Sequence, residues 1–232
     1  MTDGRHPVAG TPMRAAIARR MVQSKQQAPH FYATTEVEVD ALAAAADRHN
    51  AGRGKADRIT LTAYLIRAVA LTLVEHPQFN AAWNGDTVER WDAVNVGVAI
   101  AVDDGLLAPA LLDCANRDVE DLAAGLADLT ARTRALRLKA TEMSEATFTL
   151  SNLGMFDVSQ FTAIVTPPQV AILATARAYE RPVVRDGGIV VRRVMSATLS
   201  ADHRVVDGAG AARFLGTFKG LVESPAGWAP GA

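Results

Sequence analysis

Cysteine is nearly absent from this chain: Cys114 is the only one in 232 residues. A single thiol cannot bridge internally, so a disulfide framework is excluded and the usage suits a reducing compartment. Excess charge is missing too. Lys and Arg number 24 against 25 Asp and Glu, for a formal net charge of −1, and the two signs are mixed along the chain. That leaves no electrostatic footprint for nucleic acid or for an anionic membrane surface. Long apolar runs are also lacking. The most hydrophobic helical stretch, Leu61 to Val74, carries Arg67 and is too short to span a bilayer. The N-terminus, MTDGRHPVAG, has no apolar signal core. The sequence shows no internal repeat, and its one low-complexity tract is an alanine-rich helix. The expectation is a cytoplasmic protein of one large domain with a substantial core.

What is present is clear punctuation. Thr11-Pro12 supplies a helix cap and a first-turn proline, and Pro29 stops the helix that follows. FYATTEVEV alternates, with Phe31, Ala33, Thr35, Val37 and Val39 on one face, and reads as a half-buried strand. Asp40 caps a short helix, and Thr60 opens another that runs to His76-Pro77. Phe79 to Trp83, Asn84-Gly85 and Thr87 to Trp91 read as a hairpin. VNVGVAIAV reads as one long strand, turned by Asp103-Asp104-Gly105 into LLAPALL. A helix starts at Asn116 or Asp118 and continues to about Leu138. ATFTLSNLG, FTAIV, VAILATA and the two arms around Asp186-Gly187-Gly188 read as strands, and a last helix follows Gly208. Helices packed on a large mixed sheet give an α/β (α+β sandwich) class.

Two strand ends carry candidate chemistry. LSADHRVVDG places His203 and Asp207 just beyond a strand. Their spacing of four would allow two metal ligands, but no further His or Cys stands nearby, so no metal is expected. Spacing alone leaves His203 open between a general base and a histidine satisfied at a turn. TFTLSNLGMF places Ser151, Asn152 and Gly154 in the same way. A small hydroxyl there can donate to a developing oxyanion, and the same residues also serve ordinary turns.

Together with MRAAIARRM, PHFY, FNAAWNGD, NVGVAIAVDDGLLAPAL and PPQVAILA, these segments resemble the catalytic domain of the 2-oxo acid dehydrogenase (dihydrolipoyl) acyltransferases. That family shares its fold with chloramphenicol acetyltransferase. The resemblance runs from about Pro12 to Glu223. It implies a catalytic domain at 12–223, between a flexible arm at 1–11 and a disordered tail at 224–232. It further implies a homotrimer with active sites between subunits, coenzyme A or acetyl-CoA as a substrate and no covalently bound cofactor. His203 matches the catalytic base, Ser151 the oxyanion donor and Asp207 the motif's second acid. Arg14 is the candidate to hold Asp207, Arg204 pairs with Asp202 to shape the turn, and Gly208 permits it. Phe31, Asn95, Asn152 and the Gly105–Pro109 segment, Leu106 included, are expected along the substrate channel.

The remaining candidates read as structural. His6, His30, His49 and His76 are taken as exposed or capping, Cys114 as a buried apolar side chain, and Arg132, Arg134, Arg137 and Lys139 as a solvated helix end. No lipoyl domain, linker or apolar docking tail accompanies the core pattern. That departure favours a stand-alone enzyme that O-acetylates a small molecule, such as a hydroxymethyl tetronate in natural-product biosynthesis. The alternative is the core of a 2-oxo acid dehydrogenase complex, moving acyl groups between dihydrolipoamide and coenzyme A. A non-catalytic scaffold is disfavoured, because His203 and Ser151 are both kept.

Overall fold

A computed structural model describes residues 6, 9–54 and 57–232. Thr11 opens helix α1 (Pro12–Gln27), its Oγ1 accepting from the Arg14 amide at 3.2 Å. Strand β1 (His30–Glu38), α2 (Asp40–His49) and the apolar α3 (Leu61–Glu75) follow. A hairpin of β2 (Ala81–Asn84) and β3 (Thr87–Arg90) turns through Gly85 at φ 64°. That left-handed value favours glycine. Then come β4 (Val96–Val98), β5 (Ile100–Val102), β6 (Gly105–Leu107) and β7 (Ala110–Leu111). Helices α4 (Val119–Arg134) and α5 (Ala140–Ser144) lead to β8 (Phe148–Asn152), β9 (Ala171–Thr175), β10 (Tyr179–Arg185), β11 (Gly188–Asp202) and α6 (Gly208–Glu223).

Seven strands form the main sheet in the order β1-β11-β9-β8-β4-β7, with β10 paired to the first half of β11. The β8–β9 and β4–β8 pairs are parallel and the others antiparallel, so the sheet is mixed. Alternation along β11 sorts its two faces. Ala197, Leu199 and Ala201 join the core that α2, α3 and α6 cover, built on Tyr64, Phe79, Phe148, Phe214 and Phe218. Thr198 and Ser200 face the other way, with Thr34 of β1 and Ser151 of β8. That second face is rich in hydroxyls and lies under α1 and the 153–170 connection. Gln160 donates to Thr34 Oγ1 at 3.1 Å, and Ser24 Oγ to the Val165 carbonyl at 2.5 Å.

Several sequence expectations change. FTAIV is not a strand: the Val165 amide donates to His30 Nε2 at 3.0 Å, and Pro167 and Pro168 follow without amide protons. VNVGVAIAV breaks at Ala99, leaving β4 in the main sheet and β5 in a separate hairpin with β6. The α4 helix stops at Arg134, and Leu136 takes a left-handed φ of 54°. Its basic end is not simply solvated, because Arg132 holds Glu142 at 2.5 and 2.7 Å and Asp128 at 2.7 Å, tying α4 to α5. The 224–232 tail is ordered. Trp228 packs on the core and donates to the Leu221 carbonyl at 3.0 Å, while Arg48 holds the Gly231 carbonyl at 2.6 Å. Burying one large indole outweighs the glycine and proline around it. Residues 1–5, 7 and 8 of the expected arm lie outside the described residues.

Of the histidines read as exposed or capping, His76 does cap α3, its amide donating to the Thr72 carbonyl, and three of them also join elements through their rings. His30 spans the Ala28 carbonyl and the Val165 amide, His49 links Tyr64 to Glu120, and His76 meets Thr217 beside Phe214. Among the described residues His6 is exposed. Cys114 is buried as expected. Its thiol donates to the Leu111 carbonyl at 3.0 Å, and burial pushes its pKa up to about 11.

Candidate active site

Ser151 ends the buried run of β8, where ladders to β4 and β9 hold the strand on both sides. It opens onto a cavity of about 510 Å³. The walls are mostly apolar, from Ile17 and Met21 of α1, Leu106 of β6, Met143 of α5 and Ile164 of the covering connection. Gly105, Leu106, Pro109 and Arg14 all reach this cavity. Gly105 has a structural reason to be glycine. Its φ is 154°, a value side chains rarely adopt, and a Cβ there would stand 3.1 Å from Ile17 Cδ1, so the Ile17 side chain would have to shift. Among the described residues the Ser151 hydroxyl has no hydrogen-bond partner, which leaves its proton free for something in the cavity.

The other expected channel residues do not line this cavity. Asn95 is buried, with Nδ2 donating to the Glu145 carbonyl and Oδ1 accepting from the Asp113 amide, both at 2.9 Å. Asn152 points to the opposite face of β8 from Ser151. There Nδ2 donates to Thr62 Oγ1 at 3.0 Å and Oδ1 accepts from the Gly154 amide at 2.8 Å. Both side chains thus tie neighbouring segments together. Phe31 lies beside His203 rather than Ser151, with ring centroids 4.7 Å apart.

His203 projects from the turn between β11 and α6, and its side chain is exposed. The turn is fixed at several points. The His203 amide donates to the Pro29 carbonyl at 3.0 Å. Asp202 is buried, and its carboxylate accepts from Arg204 at the backbone amide (3.0 Å), Nε (3.0 and 3.1 Å) and Nη2 (2.6 Å). The expected Asp202–Arg204 pair is therefore present. Asp207 caps α6, with Oδ1 accepting from the Gly210 amide at 2.7 Å. It does not meet Arg14 within the chain: Arg14 belongs to the Ser151 cavity, and Asp207 to a separate hollow with His203. Gly208 is an ordinary first helical residue with open space around it, so the backbone turn does not require a glycine there.

Strand register keeps the two candidates apart. Ser151 pairs with Ala174, which pairs with Thr198 of β11, so His203 lies five residues further along and two strands across. At strand spacings that is on the order of 20 Å. Ser151 and His203 of one chain cannot act on the same carbonyl.

The comparisons with known proteins bear on both the fold and this geometry. Chloramphenicol acetyltransferase superposes with a TM-score of 0.56 over 88% of this chain and 92% of its own, at 17% identity, and shares the fold. The family model for 2-oxoacid dehydrogenases acyltransferase (catalytic domain) matches residues 3–229. The dihydrolipoyllysine-residue acetyltransferase component of pyruvate dehydrogenase complex from Rickettsia bellii is 38% identical over 216 residues, 92% of this chain and 52% of that protein. The dihydrolipoamide acetyltransferase of Azotobacter vinelandii, a solved structure, is 32% identical with a TM-score of 0.92, covering 97% of this chain and 93% of that one. The fold is thus that of chloramphenicol acetyltransferase, set on a main sheet of mixed strand direction. The chain belongs to the 2-oxoacid dehydrogenase acyltransferase family, as its catalytic domain. It spans about half the length of the curated relatives it matches. The Azotobacter structure was studied for the role of a serine, a histidine and an asparagine in catalysis, spaced fifty-two and four residues apart. Ser151, His203 and Asp207 keep both spacings, with a carboxylate in place of the amide.

Proposed function

We propose that this chain transfers acetyl groups between coenzyme A and a dihydrolipoyl thiol, in active sites that form between copies of a homotrimer. The observation that carries this reading is the division of the pair: a free Ser151 hydroxyl in an apolar cavity, and His203 about 20 Å away on the same chain. A neighbouring copy that brings its His203 to this cavity completes one site at each contact, and cyclic symmetry closes the set.

In such a site His203 Nε2 or Nδ1 takes the proton from the attacking thiol, and the thiolate sulfur forms a bond to the thioester carbonyl carbon. The carbonyl oxygen gains the negative charge, and the Ser151 hydroxyl of the adjoining chain donates to it. Collapse breaks the original carbon–sulfur bond, and the leaving thiolate receives the proton from the imidazolium. A positioned base of this kind contributes about 10²–10⁴ in rate, and an oxyanion donor about 10²–10³. No covalent enzyme intermediate is needed.

The tetronate hydroxyl expected as acceptor gives way to the dihydrolipoyl thiol. Relatives that match nearly the whole chain are named for the dihydrolipoyllysine residue. The test is incubation with acetyl-CoA and either dihydrolipoamide or a hydroxymethyl tetronate, with products read by mass spectrometry. S-acetyldihydrolipoamide, lost in His203→Ala, is the expected product. Acetylation of the tetronate alone would overturn the proposed acceptor.

A further inference from the structure

The β2–β3 hairpin stands outside the main sheet, and its role is set by what it touches. Trp83 of β2 lies under the guanidinium of Arg204, 5.3 Å from ring centroid to Cζ. Its position is not that of a loose surface side chain. The neighbouring Ala82 is buried and makes an isolated antiparallel bridge with Gln169. At the base of the hairpin, Asn80 Nδ2 donates to the Trp91 and Ala93 carbonyls at 2.8 and 2.9 Å.

Asp202 and Arg204 flank His203 in sequence, and each needs the other. The Asp202 carboxylate is out of water and has no other cation near it among the described residues. Its charge is therefore balanced only while Arg204 stays folded back across the turn. Arg204 presents one edge to that carboxylate and one flat face to the indole. A guanidinium over an aromatic face is attracted to it. With Phe31 against the imidazole and the Pro29 carbonyl on the His203 amide, the turn has few ways to move.

We infer that Trp83 is a positioning residue for His203, acting through Arg204 and the buried Asp202 rather than by touching substrate. The inference rests on His203 being the base. Trp83→Ala then frees Arg204 and lets the turn relax, and small misplacement of a reacting group lowers the rate by roughly 10–100-fold. The loss falls on kcat, with the KM for acetyl-CoA unchanged.

The test measures kcat and KM with acetyl-CoA and dihydrolipoamide for the wild type, Trp83→Ala, Trp83→Phe, His203→Ala and the Trp83→Ala/His203→Ala pair. Three results are expected: Trp83→Phe retains most of the rate, Trp83→Ala loses it, and adding Trp83→Ala to His203→Ala costs nothing more. Full activity in Trp83→Ala, an equal further loss in the His203→Ala background, or a Trp83→Phe as poor as the alanine variant would each overturn the role. If Trp83→Ala does not fold, Trp83→Leu carries the test, since it removes the aromatic face under the guanidinium while filling space. A fully active His203→Ala would instead defeat the proposed function itself.

Discussion

Ser151 and His203 both stand at the ends of strands, yet their surroundings are opposites. Ser151 is half-buried in a mostly apolar socket whose walls come from α1, the β5–β6 hairpin, α5 and the connection over the sheet. The fold shapes a space there and leaves one hydroxyl uncommitted inside it. His203 is exposed and encloses nothing. What the fold fixes is its direction, through the Asp202–Arg204 ion pair, Trp83, Phe31 and the Pro29 carbonyl. One region is a socket and the other a projecting group. Under the proposed function, each is completed by the other from a second copy.

The largest test of that contrast is His203→Ala. Its kcat for acetyl transfer to dihydrolipoamide is expected to fall by about 10²–10⁴, with the thermal midpoint unchanged because the side chain is exposed. Ser151→Ala should lose about 10²–10³ and also keep its stability, since the hydroxyl has no partner to lose. Mixing the two inactive variants and letting subunits exchange distinguishes shared sites from self-contained ones. Equal mixing should restore about a quarter of wild-type activity, because each site draws its serine and histidine from different chains. No recovery on exchange would show that the halves do not meet across copies.

Smaller effects probe the socket wall alone. The Arg132 guanidinium beside Glu142, with the Lys139 amide, holds its carboxyl below the usual carboxylate range. Its contribution to stability is therefore complete above the unfolded glutamate value, about 4.3, and is lost as pH falls through the lower folded value. Glu142→Gln should lower the thermal midpoint by several degrees at pH 7, with the gap to wild type closing below about pH 4. Differential scanning calorimetry across that range checks it. The effect belongs to α5 and the Ser151 cavity, so activity lost in this variant should appear in KM before kcat. The smallest effect concerns Cys114, which belongs to neither half. Its raised pKa of about 11 and full burial predict no reaction with a thiol-specific disulfide reagent at pH 8 until urea unfolds the chain.

Local pattern carried much of this structure. Thr11 and Pro12 start α1, alternation marks β1, and Asn84-Gly85 turns the β2–β3 hairpin, because caps, period and turn residues act over a few positions. The same range explains the failures. FTAIV has the composition of a strand, but the Val165 amide donates to the ring of the distant His30 instead of joining a ladder. The glycines and prolines of the tail read as disorder, yet Trp228 finds the core surface only after α6 is packed. Asn95 and Asn152 looked available for substrate because the loops they hold are distant in sequence or on the far side of a strand. Trp83 gave no signal as a functional residue. Its partner Arg204 lies far along the chain, and an aromatic residue in a hairpin commonly serves packing alone.

The sequence by itself determined the kind of chemistry: a histidine and a hydroxyl at two strand ends, in segments that resemble one family of acyltransferases. The tertiary structure decided where that chemistry can happen. Register across β8, β9 and β11 places the two side chains far apart on one chain, and the sheet's second face forms a cavity around only one of them. Pairing order and strand direction arise from contacts between remote segments, which no local spacing of residues encodes.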